Sequence, residues 1–245
     1  MLLVVAALPV ELRALGRAPR RGVVEEREGF LLLCTGPGAK AAEASGPAIE
    51  RARPDRVLHV GLAGGLRSGL GMGDLVVVTA TSMGVLDVGA GGALPDPRPC
   101  GGVIELRTAL ARLPDRMAQG AILSVDRFVP DAATKEALGR AGPYLACEME
   151  ASLLAAAAQA VGAEYLGLRA ISDPCDTDVL PPLRSRGGLR AAADRSNLAL
   201  AGWRTVKGYR RAAGALDRAL PVALRTAQAM SSMSAPASST NSSGT

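Results

Sequence analysis

Along the chain, apolar runs of strand length alternate with stretches whose apolar positions recur at helical spacing, and glycines and prolines mark the joints. Residues 2–7, LLVVAA, predict a buried first strand, and Pro9 suits the first turn of a short helix after it. GVVEEREGFLLLCTGPG predicts a hairpin, because Glu28-Gly29 separates two β-prone runs. Lys40 to Ala52 has helical spacing. RVLHVGLAGGL predicts a strand emptying into a glycine loop, with a second strand, GDLVVVTAT, close behind it. Residues 85–102, rich in glycine and proline, predict an irregular excursion. Then follow a strand in GAILSVDRF, a helix from Thr134 to Arg140, an apolar run turning into an alanine-rich helix in LACEMEASLLAAAAQAVG, and the strand EYLGLRAISD. From Leu189 to Met230 the spacing is helical, and Pro221 is expected to break or kink that helix. The Ser/Thr/Ala-rich residues 230–245 lack the apolar content to offset ordering entropy and are expected to be disordered, which leaves 1–229 as one domain.

Strands alternating with helices predict an α/β fold, a single domain with a central mixed sheet flanked by helices on both sides. In such sheets ligands gather at the carboxyl ends of strands. Several polar groups fall there: Glu11 after the first strand, the GLAGG stretch after the second, Phe128 after a later one and Asp173 after the last. Four segments are therefore expected to line one cleft.

The 48% hydrophobic content of these 245 residues is ample for a core, but aromatics are only 2%, so alanine, leucine and valine must fill it. So few rings, and a net charge of +5 from dispersed arginines, argue against a nucleic-acid surface and leave small anionic or neutral ligands open. Cys34, Cys100, Cys147 and Cys175 lie far apart and His59 is the only histidine, so no metal site is expected and the thiols read as reduced, in a cytoplasm. The apolar start is too short to span a bilayer and Glu11 interrupts it, so no integral membrane association is expected.

The acids bracketing Met149 pose the sharpest question. A helix start is a favourable place for any carboxylate, so Glu148 and Glu150 have a bland reading as helix-start acids beside a functional one. LPVEL, GLAGGL followed by GDLVVV, SVDRF, CEMEA and LRAISD follow one another in the order and spacing of the purine nucleoside phosphorylase and nucleosidase superfamily. The chain most resembles its 5′-methylthioadenosine/S-adenosylhomocysteine nucleosidase branch, from about residue 1 to 210. That resemblance implies a partly barrel-like sheet and hydrolysis of the N-glycosidic bond of an adenine nucleoside. Such a reaction passes through an oxocarbenium-like ribose and needs an acid for the departing base, a polar grip on the sugar and an oriented nucleophile.

By resemblance, Asp173 is the general acid at the purine N7, and an acid there rather than an asparagine favours adenine. Glu150 accepts from the ribose 2′- and 3′-hydroxyls, Met149 packs on the sugar, and Glu148 has a supporting role. Glu11 orients and deprotonates the water. Phe128 stacks on the base and the Val129 backbone reads its edge; from the residues alone, a packing role for Phe128 is as good. Gly61, Leu62, Ala63 and Gly64 border the substrate, while Arg169 and Ser172 orient Asp173, Arg169 having the alternative of a surface ion pair. No cofactor is implied, phosphate being the co-substrate if the enzyme is a phosphorylase. The phosphate-binding arginine of such relatives is missing before the glycine stretch, where His59 stands, a lone histidine that reads as a core residue, so water is preferred as acceptor. The resemblance also implies a homodimer or higher homo-oligomer.

Two departures stand out. Leu62 replaces a hydroxyl residue common in the branch, and 174–188 lacks the aromatic that closes over the base. A more open, leucine- and proline-lined mouth is expected, and with it the alternatives of a 5′-extended nucleoside of the adenosylhopane or futalosine type, or a catalytically silent nucleoside-binding protein.

Overall fold

The computed structural model describes residues 1–84, 97–179 and 195–233, with side chains described outside 195–201. In chain order the elements are β1 (Leu2–Ala6), a 3-10 turn (Pro9–Leu15), β2 (Val24–Arg27), β3 (Phe30–Cys34), α1 (Ala39–Ala44), α2 (Gly46–Ala52), β4 (Arg56–Gly65) and β5 (Leu75–Gly84). They continue with β6 (Arg98–Pro99), α3 (Val103–Leu110), β7 (Met117–Val125), α4 (Ala132–Ala141), β8 (Tyr144–Glu148), α5 (Ala151–Ala160), β9 (Glu164–Asp173) and α6 (Arg195–Met233). The strands lie in the order β2-β3-β1-β4-β8-β7-β5-β6, and β9 pairs with both β4 and β5. The ring β4-β8-β7-β5-β9 therefore closes on itself, and β1, β3 and β2 extend it as a wing. Parallel pairs such as β1–β4, β4–β9 and β5–β7 mix with antiparallel ones such as β2–β3 and β5–β9. This is the mixed, partly barrel-like α/β sheet expected.

Both faces of the sheet are covered, which explains the unbroken apolar strands. Successive side chains point to opposite faces. Leu2, Val4 and Ala6 of β1 and Leu166, Leu168 and Ala170 of β9 pack with α3 and α6, while Leu3, Val5, Tyr165 and Ile171 pack with α1, α2 and α5. The odd-numbered face of β4 and β9 also carries His59 and Arg169. The register sets each opposite a glycine, His59 against Gly167 and Gly61 against Arg169, so that a bulky polar side chain on one strand meets none on the other.

Several expectations are corrected. The helix from 40 to 52 is two, broken at Ser45, because Pro47 in the first turn of α2 has no N–H to continue the preceding helix. The glycines of GLAGG are not a loop: β4 runs through Gly65, paired with β9 as far as Gly64 and with β8 at Gly64 and Gly65. Helix α3 was not foreseen, although Val103, Leu106 and Leu110 have helical spacing. Pro221 does not break α6. A helix-interior proline costs about 3 kcal/mol. Leu216 and Leu220 before it are fully buried, each contributing about 1.5–3 kcal/mol, and Ala223 and Ala227 continue the same buried face beyond it. Helix α6 also continues to Met233, past the expected boundary at 229; the rest of the expected tail, 234–245, and most of the expected excursion, 85–96, lie outside the described residues.

Candidate active site

The carboxyl ends of β1, β4, β7, β8 and β9 open into one cleft of about 300 Å³. That is the lower end of the range for a small-molecule site. Of the residues singled out in the sequence, Glu11, Leu62, Ala63, Gly64, Phe128, Val129, Met149, Glu150, Ser172 and Asp173 all line it. Gly61 stands behind the wall, where a Cβ would come within 3.2 Å of Glu11 Oε1. Arg169 does not line the cleft.

Glu11 is held by its own turn and by β4. Its Oε2 accepts from the Leu8 N–H at 2.7 Å, closing the first turn of the 3-10 segment, and its Oε1 accepts from the Leu62 N–H at 2.9 Å. The second bond uses the backbone of Leu62, so leucine in place of a hydroxyl residue does not disturb it. Burial pushes the Glu11 carboxyl up, against the lowering effect of those amides and of Arg169.

The two acids around Met149 divide the roles suggested for them. Glu148 is the helix-start acid: its Oε2 accepts from the N–H groups of Glu150 at 3.0 Å and Ala151 at 2.8 Å, satisfying donors that the first turn of α5 leaves free. Glu150, the N-cap residue itself, makes no capping bond with its side chain. Its carboxylate turns into the cleft and accepts from the Gly38 N–H. Burial, and then the nearby Glu148 charge, raise Glu150 to about 8.

Beneath these acids lies Arg169, 1% exposed. It donates to Glu148 Oε2 at 3.3 Å and to the His59 carbonyl at 2.9 Å, and its charge also acts on Glu11 and Glu150. Two expectations fail here. Arg169 is not a surface ion-pair partner, and it does not orient Asp173, because four residues of strand set the two about 13 Å apart along β9. Its charge offsets the negative charge of Glu148, Glu150 and Glu11. His59 Nδ1 lies 2.8 Å from both Arg169 Nη2 and the Tyr165 hydroxyl. A guanidinium only donates, so Nδ1 accepts and the ring is neutral. Burial first, and then Arg169, depress its pKa well below the usual histidine value. His59 is thus the core residue expected, with no positive charge to offer a phosphate.

Asp173 owes its position to an irregularity. The β4–β9 register slips between Ala63 and Gly64, so Asp173 rather than Ser172 falls opposite Gly64. A Cβ on Gly64 would stand 3.1 Å from Asp173 Oδ2, which is why glycine serves there. Ser172 Oγ donates to Asp173 Oδ1 at 2.5 Å, the orienting contact expected. Burial raises the Asp173 carboxyl, opposed first by Lys135 and then by Ser172.

Sequence reasoning missed Lys135, whose ammonium pairs with Asp173 Oδ2 at 2.5 Å. One signal was present: Lys135 precedes Leu138 by three and so shares the inward face of α4. Thr205 and Tyr209 of α6, which also line the cleft, were missed as well. They reach it because α6 crosses β9 so closely at Gly208 that a Cβ there would overlap the Ser172 carbonyl. The expected open mouth at 174–188 is described only to Val179, which lines the cleft; the remainder lies outside the described residues.

Ser124 was missed too. It is fully buried, donates to Glu148 Oε1 at 2.6 Å and accepts from the Ser152 N–H at 2.8 Å. Ser124→Ala should lower the unfolding free energy by about 1–3 kcal/mol, since it leaves a buried carboxylate oxygen and an amide short of a partner. Urea denaturation, with an unchanged slope, measures this.

Acids at the strand ends of a closed mixed sheet face one cleft beside an aromatic ring. The chain belongs to the phosphorylase superfamily, whose sequence model matches residues 13–220. Its relatives include the 5′-methylthioadenosine/S-adenosylhomocysteine nucleosidase of Actinobacillus succinogenes, 34% identical over 161 residues, which are 60% of this chain and 68% of that one. The nucleosidase of the same description from Halalkalibacterium halodurans is 32% identical over 165 residues, 62% of this chain and 70% of that one. In three dimensions the chain resembles the Neisseria meningitidis 5′-methylthioadenosine/S-adenosylhomocysteine nucleosidase in complex with methylthio-immucillin-A. The TM-score is 0.70 at 22% identity, covering 92% of this chain and 98% of that one, a likeness of fold.

Proposed function

We propose that the protein hydrolyses the N-glycosidic bond of an adenine nucleoside of the 5′-methylthioadenosine/S-adenosylhomocysteine type, releasing adenine. One observation carries this reading: Asp173, Glu150 and Glu11, from three separate strand ends, face the same cleft with Phe128 and Met149 beside them. Asp173 protonates the purine N7 as the C1′–N9 bond breaks and its electron pair passes to the base. Phe128 stacks on the base, and the Val129 backbone meets its edge. Glu150 accepts from the ribose hydroxyls, an interaction that strengthens as the sugar gains positive charge. Donation from those hydroxyls favours its ionised form, against the burial that favours the protonated one. Glu11, fixed by two amides, keeps lone pairs free to orient water and take its proton.

Water suits this site better than phosphate. A phosphorylase needs several cations around the anion; His59 is neutral, Arg169 is buried against Glu148 and the His59 carbonyl, and among the described residues Arg127 is the one arginine that lines the cleft. Acid, base and sugar-holding carboxylate suffice for hydrolysis, so the reaction needs no cofactor. We place the protein in the cytoplasm, in keeping with four free cysteines, and expect a homodimer or larger homo-oligomer. Among the described residues, no helix is long and apolar enough to cross a membrane.

The test is release of the purine base from methylthioadenosine, adenosylhomocysteine, adenosine and an adenosyl-lipid, which carry adenine, and from futalosine, which carries hypoxanthine, with and without phosphate. The expected products are adenine and a free 5-substituted ribose at a rate independent of phosphate. A ribose 1-phosphate product would overturn water as acceptor, and binding without turnover of any substrate would overturn the enzyme.

A further inference from the structure

Lysine 135 is 0% exposed, and a buried ammonium is costly unless every proton finds an acceptor. Its three protons meet three: Asp173 Oδ2 at 2.5 Å, the Thr177 carbonyl at 2.7 Å and the Pro174 carbonyl at 3.3 Å. Around it the segment after β9 is laced to the start of α4. Asp178 Oδ1 accepts from the Ala132 N–H at 2.8 Å, and the Val179 N–H donates to the Pro130 carbonyl at 2.9 Å. Pro130 follows directly on Phe128 and Val129, and Ala132 stands two residues further on. One lysine thus sits where the strand end bearing the acid and the wall expected to hold the base are joined.

We infer that Lys135 is a positioning residue that sets the acid strength of Asp173, holding the carboxylate that remains once the purine has taken the proton. This rests on the reading of Asp173 as general acid. During the step one proton passes from an Asp173 oxygen to N7, the C1′–N9 bond breaks with its electron pair going to adenine, and water forms a bond to C1′ of the ribosyl cation and gives its proton to Glu11. Lys135 keeps all its protons and gains a full negative partner. Its charge therefore favours the products of proton transfer, at the expense of the fraction of Asp173 protonated beforehand. The other groups facing Asp173 do not compete for this role. Gly64 faces it from β4, Ser172 offers a hydroxyl, and Cys147 of β8 is a thiol that burial pushes up to about 12.

The experiment compares Lys135→Met and Lys135→Arg with wild type. First, the Asp173 carboxyl is titrated by infrared or carbon NMR without substrate. Second, turnover is followed against pH for methylthioadenosine and for p-nitrophenyl 5-methylthioriboside, whose p-nitrophenoxide leaving group needs no proton. In Lys135→Met the Asp173 titration should move up by about one pH unit or more. Adenine release should fall about tenfold with its alkaline limb displaced the same way. Release of p-nitrophenoxide should change little, and Lys135→Arg should restore most of the difference. An unmoved titration, or equal losses on both leaving groups, overturns the inference and leaves Lys135 a purely structural clamp. If Lys135→Met does not fold, Lys135→Gln, which keeps hydrogen-bond donors without the charge, takes its place: a raised titration with a selective loss of adenine release supports the inference, and an unmoved titration or equal losses overturn it. Should the titration move while wild type releases no adenine from any substrate, the proposed reaction fails and the control of Asp173 by Lys135 stands.

Discussion

Asp173→Asn should lower kcat for adenine release by about 10³-fold while leaving adenine binding nearly intact. An amide still donates a hydrogen bond to N7 but cannot give up its proton, so what disappears is an interaction made only as the bond breaks. The loss therefore belongs in kcat, with little change in KM. The fold should survive, because the asparagine oxygen can still accept from Lys135, whose other protons remain on the Pro174 and Thr177 carbonyls. Wild-type activity should fall on the alkaline side as the buried Asp173 loses the proton it must deliver, and the residual activity of the variant should lack that limb. Steady-state kinetics against pH, with adenine binding measured by calorimetry, checks both parts. A rate within tenfold of wild type would remove Asp173 from the role of acid.

The positions of the acids were legible because strand ends carry chemistry in such sheets, and the sequence marks its strand ends clearly. LLVVA ends before Glu11, and EYLGLRAISD ends at Asp173 itself. The division of labour between Glu148 and Glu150 was not fixed by spacing, since either could face a helix start; it follows from the direction of each side chain at the β8–α5 junction. Arg169 was misread for a related reason. A charged residue in a strand looks peripheral until the partner strand supplies Gly61 opposite it and Glu148 arrives from a third element. The Ala63–Gly64 register slip and the close crossing of α6 at Gly208 depend on contacts between distant segments, and local patterns do not show them. Lys135 lies between these cases: its inward phase on α4 was readable, its partner was not.

Glu150→Gln should do opposite things to activity and stability. Glutamine keeps an oxygen for the Gly38 N–H but carries no charge to answer the ribosyl cation, so kcat/KM should fall by about 10²–10³-fold. Stability should rise. In the empty fold Glu150 ionises near 8, against 4.5 for an unburied glutamate. Between those values the folded state holds a proton that the unfolded state has released, so stability drops as pH rises through the window. The penalty is small at its lower edge and complete above about 8. Glutamine escapes it. The variant should therefore unfold at nearly the wild-type urea concentration near pH 5, and by pH 9 should be more stable on the order of a few kcal/mol. Saturating an inactive form such as Asp173→Asn with adenine nucleoside should restore part of the difference, because ribose hydroxyls give the ionised Glu150 the donors the empty site lacks. Equal stability of variant and wild type at both pH values would mean that Glu150 is already ionised in the empty site and bears no strain from its burial. A pH-dependent gain would place that strain where the transition state is bound.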